Sequence, residues 1–353
     1  MHNGQDMREM EEQTQMQSFA RGRPPGFWTS LAGLVVSIVG LASCTGERPA
    51  TLRIAGQHAT DHLATIQLEE IVAALETAEI GLDVRFYPSG QLGTGEQVFG
   101  DVVNGTIDIG HTYIYSHTDP LLEINSIPYL VEDYDDLIQV FSPGSNFYDA
   151  YSRILAKQGI KLLGIYCEGF IGIGTATLPE NASSIEDKAL TIRVWSAAVA
   201  RQTANAIGFN TTTVNWGDVF PALQQGIVDG VMGGTPEVNY TTFREAINFY
   251  IPYNAFVENT AYYTSQNTWD GLTNEQQQII AELFSEAARN SISRARAVDE
   301  EYLALLAESG VQVLSLTADE RTAIAEHVRR VTWPILEQRF GPALIERLKA
   351  DVE

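Results

Sequence analysis

Residues 190–234 read Leu190-Thr-Ile-Arg-Val-Trp-Ser196, a helical pattern, Gly208-Phe-Asn-Thr-Thr-Thr-Val-Asn-Trp-Gly-Asp218, a second helical pattern, and Gly226-Ile-Val-Asp-Gly-Val-Met-Gly-Gly234. The first segment alternates, with Ile192 and Val194 on one face and Thr191 and Arg193 on the other, as a strand does. Ser196 is placed to cap the helix that follows, and Gly208 to end it. A second strand is expected from Asn210 to Val214, and Asp218 with Pro221 suits the head of a second helix. Strand, helix, strand, helix, strand is a crossover unit of an α/β fold. An arginine inside an apolar strand and an indole at the next strand-to-helix junction read as floor and wall of a small-molecule site.

Whole-chain properties narrow the function. The 353 residues carry a net charge of −23, with 22 basic residues, so nucleic-acid binding and any broad attraction for anions are excluded. An acidic ligand therefore needs a locally concentrated positive group. Arg21 and Arg23 precede an apolar run from Phe27 to Ala42 that ends Leu41-Ala-Ser-Cys44, a secretory signal closing in a lipobox-like sequence. Residues 1–43 read as a lipoprotein signal peptide, Cys44 as the lipid-modified first residue, and 44–50 as a tether; the alternative is an uncleaved anchor helix. Cleavage removes three basic and four acidic residues, leaving 19 against 41 and a charge of −22. With Cys44 lipidated only Cys167 remains, so no disulfide is expected, and a buried, inert thiol is.

The same grammar opens the chain. Thr51–Ala55 and Leu82–Tyr87 alternate as strands, His62–Ala78 carries a helical apolar stripe, Glu96–Asn104 reads as a helix, and Ile107–Ile109 as a short strand. Gly105-Thr-Ile-Asp108 and Gly226-Ile-Val-Asp229 both follow a short helix, so two copies of one unit predict two lobes of similar build, each Asp capping a helix or tying down a loop. Further along, 135–156 is helical and broken at Pro143-Gly144, 160–166 is a buried strand, and glycine-rich 168–177 suits a crossing between lobes. Residues 236–248 read as helix, 250–259 as extended and 262–267 as a strand. Thr273-Asn-Glu-Gln276 is a capping box for a long helix to about Leu306, and Thr317-Ala-Asp-Glu320 caps another.

These residues resemble the DctP-type binding proteins of TRAP transporters. The resemblance rests on Tyr87-Pro-Ser-Gly-Gln-Leu-Gly93, Val103-Asn-Gly-Thr-Ile-Asp108, Ile127-Pro-Tyr-Leu130, Ile185–Val194, Trp216–Gly230 and Leu272-Thr-Asn-Glu-Gln276, in the family's order from about 52 to 310. It implies a two-lobed α/β periplasmic-binding-protein fold with a long helix spanning both lobes. Lobe I would comprise 51–171 and 258–297, and lobe II 172–257 and 298–353. It implies capture of a small organic acid in the periplasm for TRAP membrane permease subunits, with no catalysis and no cofactor.

Arg193 falls at the family's carboxylate-binding arginine, whose planar fork matches two carboxylate oxygens; the alternative is an internal ion pair with Asp or Glu. Trp216 falls where the family places an aromatic against the ligand; the alternative is ordinary core packing. The chain departs from its relatives after Gly169-Phe170, where Ile171 stands in place of a second arginine, which points to one carboxylate on the ligand. Glu168 in that turn is a partner for a cationic or hydroxyl group, or a solvated or ion-paired carboxylate. Small Gly233, beside Met232, leaves room for a bulkier ligand. Tyr113 and Gln91 are further wall candidates, with Phe170. His58 and His62 stand four apart, but His58 lies in a loop and no glutamate fills a zinc motif's slot, so satisfied or exposed histidines and no metal are expected. No nucleophile elbow or phosphate loop supports an enzyme. A binding protein serving a sensor or another transporter class would share the fold.

Overall fold

The computed structural model describes residues 50–116 and 119–352. The signal segment, Cys44 and His117 lie outside the described residues. The described strands are β1 (Ala50–Gly56), β2 (Leu82–Tyr87), β3 (Ile109–Thr112), β4 (Ile160–Thr175), β5 (Thr191–Val194), β6 (Asn210–Thr213), β7 (Gly230–Met232), β8 (Phe249–Ser265) and β9 (Gln312–Val313). They form one sheet in the order β2-β1-β3-β8-β4-β7-β5-β6, with β9 beside β8.

The order is nearly symmetric about its centre. β1 pairs in parallel with β2 and β3, and β5 pairs in parallel with β6 and β7. β3 then meets β8, and β7 meets β4, both antiparallel. Each half is thus a crossover unit whose last strand docks on a long central strand, the arrangement of a two-lobed α/β protein. The repeated aspartates do equivalent work. Asp108 accepts the Arg53 N–H at 2.8 Å and Asp229 the Thr191 N–H at 2.8 Å, so each ties the loop before its half's last strand to the first strand, in the middle of β1 and at the start of β5.

Long β4 and β8 pair along their whole lengths and serve both halves. The sequence reading divided each into pieces at Cys167–Glu168 and near Asn259–Tyr262, whereas each is one continuous strand. Burial on both faces explains this. β4 is buried at every position except Lys161, so no polar alternation marks its course. Register slips at three places, and one of them lies between Cys167, opposite Asn259, and Gly169, opposite Glu258. Glu168 is the extra residue of that bulge.

The helix Asn274–Glu308 begins at the expected capping box, in which Thr273 and Gln276 satisfy each other's backbone N–H groups. It contributes Ile280, Phe284 and Ala287 to the core beside β1 and Leu306 to the core beside β7. Asp299 bolts it to β4, accepting the Phe170 N–H at 2.9 Å and the Tyr134 hydroxyl at 2.7 Å. Gly169, at φ 134°, makes room: a Cβ there would lie 2.3 Å from Asp299 Oδ1. The C-terminal helices, Ala318–Phe340 and Pro342–Lys349, reach both halves, the first of them packing on the helix Ala198–Ile207. Trp333 donates to Pro128 O, and Asp351 accepts the N–H groups of Asn146 and Phe147.

Two local expectations are corrected. The helix Ala198–Ile207 has Ala197 at its N-cap with no side-chain cap, so Ser196 does not serve there. The helix expected over 236–248 is a short turn, Pro236–Val238, followed by a π turn, Asn239–Phe243. Asn239 there spends its side-chain amide on the carbonyls of Gly234 and Thr235 rather than on a regular helix. Cys167 is buried, and burial drives its thiol pKa well up, as an inert thiol requires.

Candidate functional site

Arg193 sits mid-strand in β5, between the fully buried Ile192 and Val194, and is only 5% exposed. Its Nε donates to Val214 O at 2.9 Å and its Nη1 to Met232 O at 3.4 Å. Among the described residues no carboxylate lies within ion-pairing distance of it. Burial lowers its pKa to about 10, against the pull of Glu258, so the guanidinium stays charged at neutral pH.

Two partners define its setting. Trp216, the first residue of a 3-10 turn after β6, lays its ring 5.1 Å from the guanidinium carbon and leans edge-on against Phe243. It is 47% exposed, which removes the core-packing alternative and makes it a partly open cover over the charge. Gly233, at φ 139°, supplies bare backbone: a Cβ would stand 3.0 Å from Nη1 and 3.4 Å from the indole. The room expected over Gly233 is therefore occupied by the protein's own guanidinium and indole.

The adjoining Gly234 N–H donates to Glu258 Oε2 at 3.1 Å. Glu258 projects from β8 opposite Gly169 in β4, so the bulge brings Glu168 beside it. Burial, then the charge of Glu168, pushes the Glu258 pKa up to about 8.

Glu168 is 5% exposed and ringed by donors from the first half of the chain. His58 Nε2 is 3.1 Å from Oε1, His62 Nε2 is 3.7 Å from Oε2, and the Tyr113 hydroxyl donates to Oε2 at 3.1 Å. The His58 contact is at ion-pair distance but off the hydrogen-bonding angle, which leaves Oε1 and both His58 nitrogens without a hydrogen bond. Burial raises the Glu168 pKa, but the two histidines and Tyr113 outweigh it and hold the carboxyl below its ordinary value. His62 is lowered to about 4, chiefly by burial. Glu237, also 5% exposed, is pushed up to about 7 by burial and then by Glu168.

The remaining sequence candidates separate. Phe170 is turned away into the core, its ring edge-on to Tyr134 at 5.0 Å. Gln91 is exposed in the turn after β2, and its side chain makes no hydrogen bond among the described residues.

His58, His62 and Glu168 place one potential ligand atom each within 4.8 Å of one another, a spacing that could hold a metal ion. The tautomer of His62 argues against it. Its Nδ1 accepts the Ala64 N–H at 3.1 Å as the cap of the helix Leu63–Thr77, so the neutral ring carries its proton on Nε2, facing Glu168. A metal needs that nitrogen's lone pair. The histidines serve better as donors to a carboxylate than as ligands.

The DctP profile, described as bacterial extracellular solute-binding protein, family 7, matches residues 54–338. The chain belongs to this family.

This DctP-type, TRAP-associated solute-binding protein is 24% identical over 326 residues to the ectoine/5-hydroxyectoine-binding periplasmic protein UehA of Ruegeria pomeroyi, covering 89% of this chain and 94% of that one. It is 26% identical over 289 residues to the ectoine-binding periplasmic protein TeaA of Halomonas elongata, covering 76% and 81%. Its fold matches that of a TRAP periplasmic solute-binding protein from Desulfovibrio salexigens with bound orotic acid, at a TM-score of 0.75 and 20% identity, over 85% of this chain and 98% of that one. Among the described residues no helix of this binding protein is long and apolar enough to cross a membrane.

Sequence reasoning missed Glu258, Glu237 and the histidine pair as neighbours of Glu168. Glu258 carried a usable signal: like Arg193, it is a charge set inside an apolar strand, Phe256-Val-Glu-Asn259. The histidines carried none pointing to Glu168, because the partner lies more than a hundred residues away.

Proposed function

We propose that this binding protein captures a small organic carboxylate between its two lobes and delivers it to TRAP membrane permease subunits. The observation that carries the reading is Arg193: a buried guanidinium that, among the described residues, bonds only to two carbonyl oxygens and pairs with no carboxylate, in a strongly acidic protein. Such a charge is costly to bury unless an anion completes it. Orotic acid in the related structure and ectoine in the names of the relatives are small organic acids of suitable size.

In this reading Arg193 clamps one carboxylate with its fork, Trp216 closes over the ion pair and touches the apolar body, and closure of the lobes excludes water. Ile171 stands where a second arginine would hold a second acid, so a monocarboxylate fits best. Glu168 and Tyr113 face the rest of the ligand, and Gly233 supports the clamp. The lobes divide as 51–171 with 258–297 and 172–257 with 298–353, and a lipid on Cys44 tethers the protein to a membrane at the periplasmic side.

A thermal-shift screen against organic acids tests the proposal, because a ligand bound only by the native state raises the melting temperature. Hits should lose their shift in Arg193→Ala. Unchanged shifts in that variant would remove the clamp.

A further inference from the structure

We infer that the ligand is a zwitterion, whose cationic or N–H-rich end is seated between the carboxylates of Glu258 and Glu168. The inference rests on the reading of Arg193 as the carboxylate clamp and adds a second, opposite pole to that site.

The geometry begins at Gly233-Gly234. The guanidinium of Arg193 lies against Gly233, and the carboxylate of Glu258 accepts the N–H of Gly234. A guanidinium and a carboxyl group thus flank one two-residue turn without pairing, and the carboxyl, which burial and Glu168 leave protonated near neutral pH, would give up its proton in favour of an incoming cation. Across the strand pair Gly169 is in register with Glu258, and the bulge sets Glu168 next to it. A bulge of this kind re-aims a side chain that regular pairing would send elsewhere. The result is one positive group on one side and, on the other, an ionised Glu168 beside the carboxyl of Glu258.

The carboxylate side is incomplete. Glu168 is nine-tenths buried, yet among the described residues its Oε1 meets only His58 Nε2, at 3.1 Å and off the hydrogen-bonding angle. Its nearest donors from the protein are a phenol and two imidazoles, and burial keeps His62 neutral. Among the described residues Glu258 has one hydrogen-bond partner, the backbone N–H of Gly234. Glu237 adds a third buried carboxylate within electrostatic reach of Glu168. Arg294, the other cation in range of Glu237, is turned to the Tyr166 hydroxyl at 3.3 Å. Neighbouring carboxylates repel unless a cation or a proton comes between them. A purely anionic ligand would add one more negative charge to this group. A ligand carrying an ammonium, amidinium or similar group beside its carboxylate would pair at both poles, and the unmet oxygen of Glu168 would gain a donor.

Matched probes distinguish the two kinds of ligand. L-pipecolate and cyclohexanecarboxylate share a six-membered ring and a carboxylate but differ in the charged nitrogen, and ectoine provides a cyclic amidinium acid. Binding to the purified protein is measured by titration calorimetry. Ectoine or L-pipecolate should bind at least about tenfold more tightly than cyclohexanecarboxylate. Glu168→Gln and Glu258→Gln keep side-chain shape and should each weaken zwitterion binding by about tenfold or more and so narrow or abolish its advantage over the plain acid. Melting of each unliganded variant establishes that it is folded.

The inference is overturned if cyclohexanecarboxylate binds as well as both zwitterions, if neither zwitterion binds, or if the preference survives in both glutamine variants. It is also overturned if zinc chloride stabilises the protein through His58 while zwitterions are not preferred. Arg193→Ala separates this from the clamp itself: loss of all binding in that variant supports the clamp whatever the preference, and unchanged binding removes the clamp.

Discussion

The two halves of the sheet are built alike and equipped differently. β2-β1-β3 and β6-β5-β7 have the same pairing, and Asp108 and Asp229 pin them by the same hydrogen bond. The first half then presents His58, His62 and Tyr113, neutral or polar donors gathered around a carboxylate. The second presents Arg193 under an indole on a bare glycine turn. In open α/β sheets ligands bind beyond the carboxyl ends of the strands, where loops vary while the strands keep their build. The repeat therefore supplies the framework twice, and unlike loops give it the two poles proposed for the ligand.

The comparison is broken most strongly at Arg193. Arg193→Ala should cost at least about a hundredfold in affinity for any carboxylate ligand, since truncating one partner of a buried charge pair costs several kcal/mol. The matching change in the other half, His58→Ala, should weaken binding far less; calorimetry on the two variants gives the ratio, and equal losses would make the poles equivalent.

A second test concerns the shared framework. Asp108→Asn and Asp229→Asn each weaken one charge-assisted bond to a strand N–H and should lower unfolding free energy by about 1–2 kcal/mol apiece. Urea melts showing a loss in one half alone would end the case for an energetic repeat.

pH sharpens the contrast in charge. Glu258 at about 8, and Glu237 and Asp299 at about 7, hold protons in the folded state that the unfolded chain has already released. A carboxyl with a raised folded pKa destabilises the fold progressively as pH rises above its unfolded value. His62, lowered to about 4 from 6.5, acts in the other direction, removing stability as pH falls below 6.5. Between pH 6.5 and about 8 the carboxyls act without His62, so the melting temperature of the unliganded protein should fall across that window. Glu258→Gln should flatten the decline; a profile that rises there, or an unchanged slope in the variant, counts against the buried carboxyl.

Smaller effects are expected at the margins. Trp216→Ala should reduce affinity by about 1–2 kcal/mol, the loss of a partly exposed cation–π cover. Gln91→Ala should change affinity by less than about 0.5 kcal/mol, because the exposed side chain lies apart from both poles. A larger effect at Gln91 would mean that closure brings the turn after β2 onto the ligand.

The sequence disclosed whatever is decided locally. Thr273 with Gln276 and Thr317 with Glu320 form the expected capping boxes, because a cap needs only residues three apart. Gly208 ends its helix in the left-handed region, as a residue without Cβ can. Arg193 was visible because a charge inside an apolar strand breaks its pattern. The acidic pole was not, because it depends on register: a slip between β4 and β8 sets Glu168 beside Glu258, and strand pairing then brings in His58 and His62 from the far end of the chain. No local periodicity encodes a bulge.

That bulge also governs how the molecule can open. β4 and β8 run unbroken through both halves, so the closure proposed above requires this ribbon to flex, most easily where its ladder of hydrogen bonds is interrupted. Glu168 stands at one of three such interruptions, and a pivot there would leave it the least displaced. Arg193 rides on the outer strands and sweeps a longer arc. On the proposed reading the acidic pole would act as a fixed post and the guanidinium as the travelling jaw, and the distance between them would gauge how far the clamshell has shut.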